Sequence, residues 1–261
     1  MATEDLYPNG EELYELLITE LEYLKDRDGP IARNRDRINT AYQSLGAMQP
    51  TDWELNINPN WVLRFGGDSE GEPARGERTR RDFHSAEGIA LIGGYASVDD
   101  GDIEHYETNL TLLAQSETDT RASAAPCCWE HEEIDADWRV ARRYHFDIET
   151  VAAEEEDDPK PVTHMQTGGN FEGQPVPRHD PHYCSSPLDK PRLPHPPMDP
   201  LLLLHTLATQ YNSLERLIEE QWIGYVRESE NTLWEPYHEA ILGQYRTGET
   251  RPTMAEFFMN G

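Results

Sequence analysis

The sequence predicts an α+β fold: an N-terminal helical hairpin, a mostly antiparallel meander of about six strands, and C-terminal helices packed on that sheet. Two observations lead there. Apolar residues recur at helical spacing up to residue 46 and again after residue 199, but every second residue between 51 and 169. The elements also come in runs, helices then strands then helices, the order of an α+β layout. At 261 residues the chain can bury a sizeable core. A single domain is expected, divided into hairpin (1–46), sheet (51–169), an irregular Pro/His-rich segment (170–198) and helices (199–261).

Asn9 is placed to cap a helix from Gly10 to about Arg27, with Leu13, Leu16, Leu17, Leu21 and Leu24 as its apolar stripe. Asp28-Gly29-Pro30 ends it, and a second helix over Ile31–Leu45 turns Ile38, Ala41, Tyr42 and Leu45 inward. Trp53, Leu55 and Ile57 alternate with polar residues, then Trp61, Leu63 and Phe65 do so after Pro59-Asn60, which reads as a hairpin. Gly66–Asp82 is polar and should be a long loop. Strands follow at Gly88–Val98 and Ile103–Gln115, separated by Asp99-Asp100-Gly101, and at Asp137–Val151 and Lys160–Gly169. Asp199-Pro200 starts a long helix to about Arg227, Asn231 caps another, and a short one holds Phe257 and Phe258.

Composition bounds the setting. Fifty acidic residues face 22 basic ones, a formal charge of −28, and the only lysines are Lys25, Lys160 and Lys190. Chains this acidic are often disordered, but six Trp and twelve Tyr argue for a packed core. A folded, carboxylate-rich, lysine-poor chain fits the cytoplasm of a salt-in extreme halophile. Molar salt shortens the Debye length to about 3 Å and screens the self-repulsion. Net charge therefore excludes neither a protein nor a nucleic-acid partner. No apolar run is long enough to span a membrane, and the N-terminal residues lack signal-peptide character, so a cytoplasmic location is expected.

The strand pair Asp137–Val151 and Lys160–Gly169 carries the leading site. Alternation puts Trp138, Val140, Tyr144, Phe146 and Ile148 on one face, and Arg139, Arg143, His145, Asp147 and Glu149 on the other. Antiparallel pairing brings His164 and Gln166 toward His145 and Asp147. A carboxylate beside an imidazole can orient a general base for hydrolysis. The same residues suit a divalent metal, with Gln166 a weaker ligand. They also suit a hydrogen-bonded polar patch under the Pro-rich segment. Two-histidine phosphoesterases need a hydroxyl two residues after each His, and Asp147 and Gln166 occupy those places.

Two further sets compete. Cys128-x-x-His131 and His179-x-x-His182-x-Cys184 have chelating gaps, and zinc is the cofactor such Cys/His sets suit. Three cysteines, two of them adjacent, do not look like a disulfide framework. Arg75, Arg78, Arg80 and Arg81 in one loop, with Arg139, Arg143 and Arg192, form the candidate partner-binding set, by direct guanidinium contacts to phosphate or base or by neutralising nearby carboxylates.

Arg-Tyr-His-Phe-Asp (143–147), Pro-Val-Thr-His-Met-Gln-Thr-Gly-Gly (161–169), Pro-Arg-Leu-Pro-His-Pro-Pro (191–197) and the helix from Asp199 together resemble a conserved protein family of unknown function. That family has an Arg-x-Asp-Tyr-like strand, a Pro-x-x-His strand ending in Gly, an Arg-Ile-Pro segment and a Pro-initiated helix. The resemblance covers roughly residues 138–226; earlier residues match only in element order. It implies that Asp147, His164 and Arg192 share one neighbourhood, and it implies no chemistry. The leading functional expectation is an intracellular interaction or regulatory protein with protein or nucleic acid as partner; the alternative is a nuclease- or phosphoesterase-type hydrolase using the His/Asp/His cluster.

Overall fold

The computed structural model describes residues 7–65, 88–115, 138–148, 162–167 and 192–239. Within them a six-stranded sheet runs in the order β1-β2-β3-β4-β5-β6, each strand antiparallel to the next. The strands are β1 (Trp53–Phe65), β2 (Gly88–Asp99), β3 (Asp102–Gln115), β4 (Trp138–Ile148), β5 (Thr163–Thr167) and β6 (Leu193–Pro194). Helices α1 (Gly10–Lys25) and α2 (Arg35–Gly46) precede it, and α3 (Pro200–Gln210) and α4 (Glu220–Ser229) follow. The α+β reading is correct.

Local chemistry sets the element ends. Asn9 and Glu12 form a reciprocal capping box at the start of α1, satisfying two backbone N–H groups that the helix leaves open. The expected second helix begins later than the spacing suggests, because Gly29–Asn34 is a 3-10 turn with Pro30 in its first turn. Asn34 explains the break. It is buried and bonds both backbone groups of Val62, donating to the carbonyl at 2.8 Å and accepting from the N–H at 2.7 Å. The outer edge of β1 is thereby satisfied as another strand would satisfy it. The β2–β3 turn has positive φ at Asp100 (51°) and Gly101 (89°), the two-residue geometry whose twist suits a tight hairpin.

The hairpin expected at Pro59-Asn60 does not form. Trp53–Phe65 is one strand, and both halves pair with β2; the register shifts between Ile57 and Trp61. An odd-length excursion keeps Trp53, Leu55, Ile57, Trp61, Leu63 and Phe65 all in the core, so a bulge preserves the apolar alternation that looked like two strands. Gly93 lies opposite the excursion, where a Cβ would come within 2.5 Å of the Asn60 side chain. The Gly93-Gly94 pair is thus explained by close approach within the sheet.

The C-terminal helix is also corrected. The expected run from Asp199 to Arg227 breaks at Tyr211, which is extended (φ −122°, ψ 113°), and a 3-10 turn Asn212–Leu217 intervenes before α4. Four consecutive leucines, Leu201–Leu204, are buried, so α3 is enclosed on more sides than a one-faced stripe requires. Asn231 caps nothing: α4 continues through a π-helical turn at Glu230–Trp234. Leu193-Pro194, expected to be irregular, pairs with β5 as a short edge strand. Phe257 and Phe258 lie outside the described residues.

The helices and one sheet face enclose a single large core, from Leu13, Leu17 and Ile38 through Trp61, Ile92 and Tyr106 to Leu204, Trp222 and Leu233. The first and last helical segments are clasped together: Arg27 donates to the Glu219 carboxylate at 2.8 Å and to the Leu217 carbonyl at 3.1 Å, and Tyr23 stacks on Tyr225. Inside the core sits one polar knot. Glu20 accepts from the Ser229 hydroxyl at 2.6 Å, while Asp199 accepts from the Leu202 N–H at 2.6 Å and caps α3. Tyr106 and Thr108 of β3 both donate to the Met198 carbonyl next to it, at 2.9 and 2.6 Å. Burial, and then the adjacent Asp199, push the Glu20 carboxyl well above its ordinary range.

Candidate functional site

Alternation that buries Tyr106, Thr108 and Phe146 on the helical side sends their neighbours to the opposite face. There the register aligns two cross-strand rows. One runs Tyr95, Glu107, Asp147, His164, Pro194; the next runs Gly93, Asn109, His145, Gln166. The expected antiparallel pairing is correct in register, with His164 directly opposite Asp147 and Gln166 opposite His145.

The side chains form an alternating chain of imidazoles and carboxylates over three strands. His164 Nε2 lies 3.3 Å from Asp147 Oδ2, and the other oxygen, Oδ1, lies 3.8 Å from His145 Nδ1. That same Nδ1 is 3.5 Å from Glu107 Oε1, and Glu107 Oε2 is 3.8 Å from His105 Nε2. Asn109 Nδ2 donates to Glu107 Oε1 at 3.5 Å. Exposure is graded along the chain: His164 is 1 % exposed and His145 8 %, whereas half of the His105 side chain meets solvent. His145 Nε2 is buried and has no hydrogen-bond partner among the described residues.

Electrostatics favours ionised carboxylates here. Burial opposes charge on Asp147, but the neighbouring His145 and His164 imidazoles hold its carboxyl well below the usual range. For Glu107 burial again opposes ionisation; the neighbouring His105 and His145 imidazoles outweigh it, and the carboxyl is lowered. Two anions that persist beside imidazoles can orient those imidazoles and stabilise them once protonated, or hold a cation.

His145, Asp147, His164 and Gln166 are therefore brought together as expected. Arg192 joins them, its Nε donating to Gln166 Oε1 at 3.4 Å, so Asp147, His164 and Arg192 do share one neighbourhood. Arg143 sits one row further along β4, opposite Thr111, and is half-buried. Arg139 lies in β4 opposite Ala114, but a register shift between Leu112 and Leu113 breaks the uniform alternation expected from Trp138 to Ile148; its side chain is outside the described residues. Arg75, Arg78, Arg80 and Arg81 also lie outside the described residues, as do Cys128, His131, His179, His182 and Cys184. Sequence reasoning missed Glu107 and His105. The signal was present: His105-Tyr106-Glu107 on β3 repeats the His-aromatic-acid pattern of His145-Phe146-Asp147 on β4.

Comparison of the chain with protein-family models, with curated proteins and with solved structures finds no match. Among the described residues, no helix is long and apolar enough to cross a membrane.

Proposed function

We propose that this chain is a hydrolase of nuclease or phosphoesterase type, acting at the imidazole–carboxylate chain on the sheet face opposite the helices. The observation that carries the reading is the placement of Asp147 between His145 and His164, at 3.8 and 3.3 Å, with Glu107 on the far side of His145. A carboxylate held between imidazoles orients an imidazole as the base and stabilises the imidazolium that forms. In the reaction, water attacks phosphorus as its proton passes into this network; the bond to the leaving oxygen breaks, and that oxygen takes a proton in turn. Charge that develops on the phosphoryl oxygens needs cationic stabilisation. Arg192, which reaches the site through Gln166, and Arg143, on the His145 strand, are the groups placed for it. The acidic, lysine-poor composition supports an intracellular, high-salt setting for the reaction.

A second reading is favoured by one observation, the enclosure of His164 and His145. Residues so buried can serve a partner-binding sheet as structural links, with protein or nucleic acid as the partner. Activity decides between the two. Wild type, His164→Ala and Arg143→Ala are compared on single- and double-stranded DNA and RNA in molar KCl. The hydrolase reading expects cleavage by wild type and losses of at least about 100-fold in His164→Ala, the scale of a lost acid–base group. Equal activity in all three, or none in any, removes it and leaves the interaction reading.

A further inference from the structure

One donor atom from each of Glu107, His145 and Asp147 lies within 4.8 Å of the other two. The separations around His145 Nδ1 are informative. At 3.5 Å to Glu107 and 3.8 Å to Asp147 they exceed the ~2.7–3.2 Å of a good N–H···O bond. They lie nearer the spacing of about 3.3–3.5 Å between donors arranged tetrahedrally on an ion with bonds of about 2.0–2.1 Å. The other oxygen of each carboxylate also faces an imidazole: Asp147 Oδ2 lies 3.3 Å from His164 Nε2, and Glu107 Oε2 lies 3.8 Å from His105 Nε2. Outer partners of this kind fix the orientation of metal-binding carboxylates and raise their affinity. The pattern is the same on both carboxylates, which come from different strands.

We propose that Glu107 Oε1, His145 Nδ1 and Asp147 Oδ1 bind one divalent transition-metal ion of the zinc class, oriented by His105 and His164. One imidazole with two carboxylates suits Zn²⁺ better than Mg²⁺ or Ca²⁺, which prefer an all-oxygen set. The site extends the hydrolase reading and rests on it for its role, since three protein donors leave a position for water. Occupancy of the site does not depend on turnover.

The test uses the full chain in molar KCl, stripped with a chelator and titrated with ZnCl2 by calorimetry, with circular dichroism recorded for each variant. One ion per chain is expected. Glu107→Gln and Asp147→Asn should each weaken binding at least about tenfold, and His164→Ala by about 10–100-fold, as for lost outer partners. X-ray absorption of the zinc-loaded wild type should show only nitrogen and oxygen neighbours at about 2.0–2.1 Å. Sulfur at about 2.3 Å, with binding abolished by Cys128→Ser and Cys184→Ser, would overturn the proposal in favour of the cysteine–histidine set. Absence of binding, or binding untouched by both carboxylate variants, would overturn it too. If those variants do not fold, the wild-type spectrum and His105→Ala, at a solvent-exposed position, decide instead. Zinc bound as proposed without hydrolysis leaves the site standing and removes the hydrolase reading. Hydrolysis that survives chelation removes the ion from the reaction and leaves the enzyme; calorimetry alone decides whether the site binds.

Discussion

Glu20 and Asp199 show most directly how one side chain links the helices to the sheet. In the protonated state Glu20 accepts from Ser229 and donates toward Asp199, while Tyr106 and Glu228 are the other ionisable groups facing it. The folded chain keeps this proton above the pH, near 4.5, at which an unfolded chain gives it up. The contribution to stability is therefore complete below that pH and declines as pH rises toward the folded value. Glu20→Gln copies the protonated side chain. It should flatten the dependence of unfolding free energy on pH above the unfolded value of 4.5, and a slope equal to wild type would show that Glu20 is ionised in the fold. Glu20→Ala, which leaves the Ser229 hydroxyl only its longer bond to the Tyr225 carbonyl and opens a gap beside Asp199, should cost about 1–3 kcal/mol by denaturant titration. At the site, His145, Asp147 and His164 were legible because alternation alone puts them on one face. Glu107 and His105 are less legible, because the polar face of Ile103–Gln115 acquires its partners only through pairing with β4.

Element boundaries reflect a contest between local signals and the sheet. Pro59-Asn60 is a good turn signal, yet β2 offers a continuous partner to both flanking segments, and pairing wins. The C-terminal helical run hides its break for the converse reason: the apolar spacing continues through Leu214 and Leu217, although Tyr211 leaves helical geometry. The caps at Asn9 and Asp199 and the Asp100-Gly101 turn were readable, since each depends on chemistry within three residues. The glycine pair in β2 makes the tension within the sheet measurable. A Cβ on Gly94 would meet the Glu107 carbonyl oxygen at 2.6 Å and the Thr108 backbone at 3.3 Å, whereas one on Gly93 meets the end of the Asn60 side chain, which can swing aside. Gly94→Ala should therefore cost about 1–3 kcal/mol and exceed the cost of Gly93→Ala. Thermal melts of the two variants check the order, and the reverse order would mean that Asn60 is locked.

At the scale of the whole molecule, charge dominates. Fifty acidic residues on a 261-residue chain repel one another in dilute buffer, and screening at molar ionic strength removes most of that cost. Circular dichroism should show structure lost at low salt and recovered in molar KCl. A native spectrum with a sharp melt in dilute buffer would contradict the halophilic reading. The fold class was legible from period and order because a meander pairs each strand with its chain neighbour, so topology follows sequence order without a long crossover.

That same neighbour pairing divides the molecule along one seam. Everything through β3 contributes Glu107 and His105; everything from β4 onward contributes His145, Asp147 and His164. A chain cut between residues 115 and 138 yields two polypeptides, neither with a complete constellation, and each missing half of the shared apolar interior. The seam makes the protein a natural candidate for reconstitution from two fragments. Their reunion would be reported by the chemistry of the face itself, because the backbone hydrogen bonds that join β3 to β4 are the ones that bring its polar groups into reach.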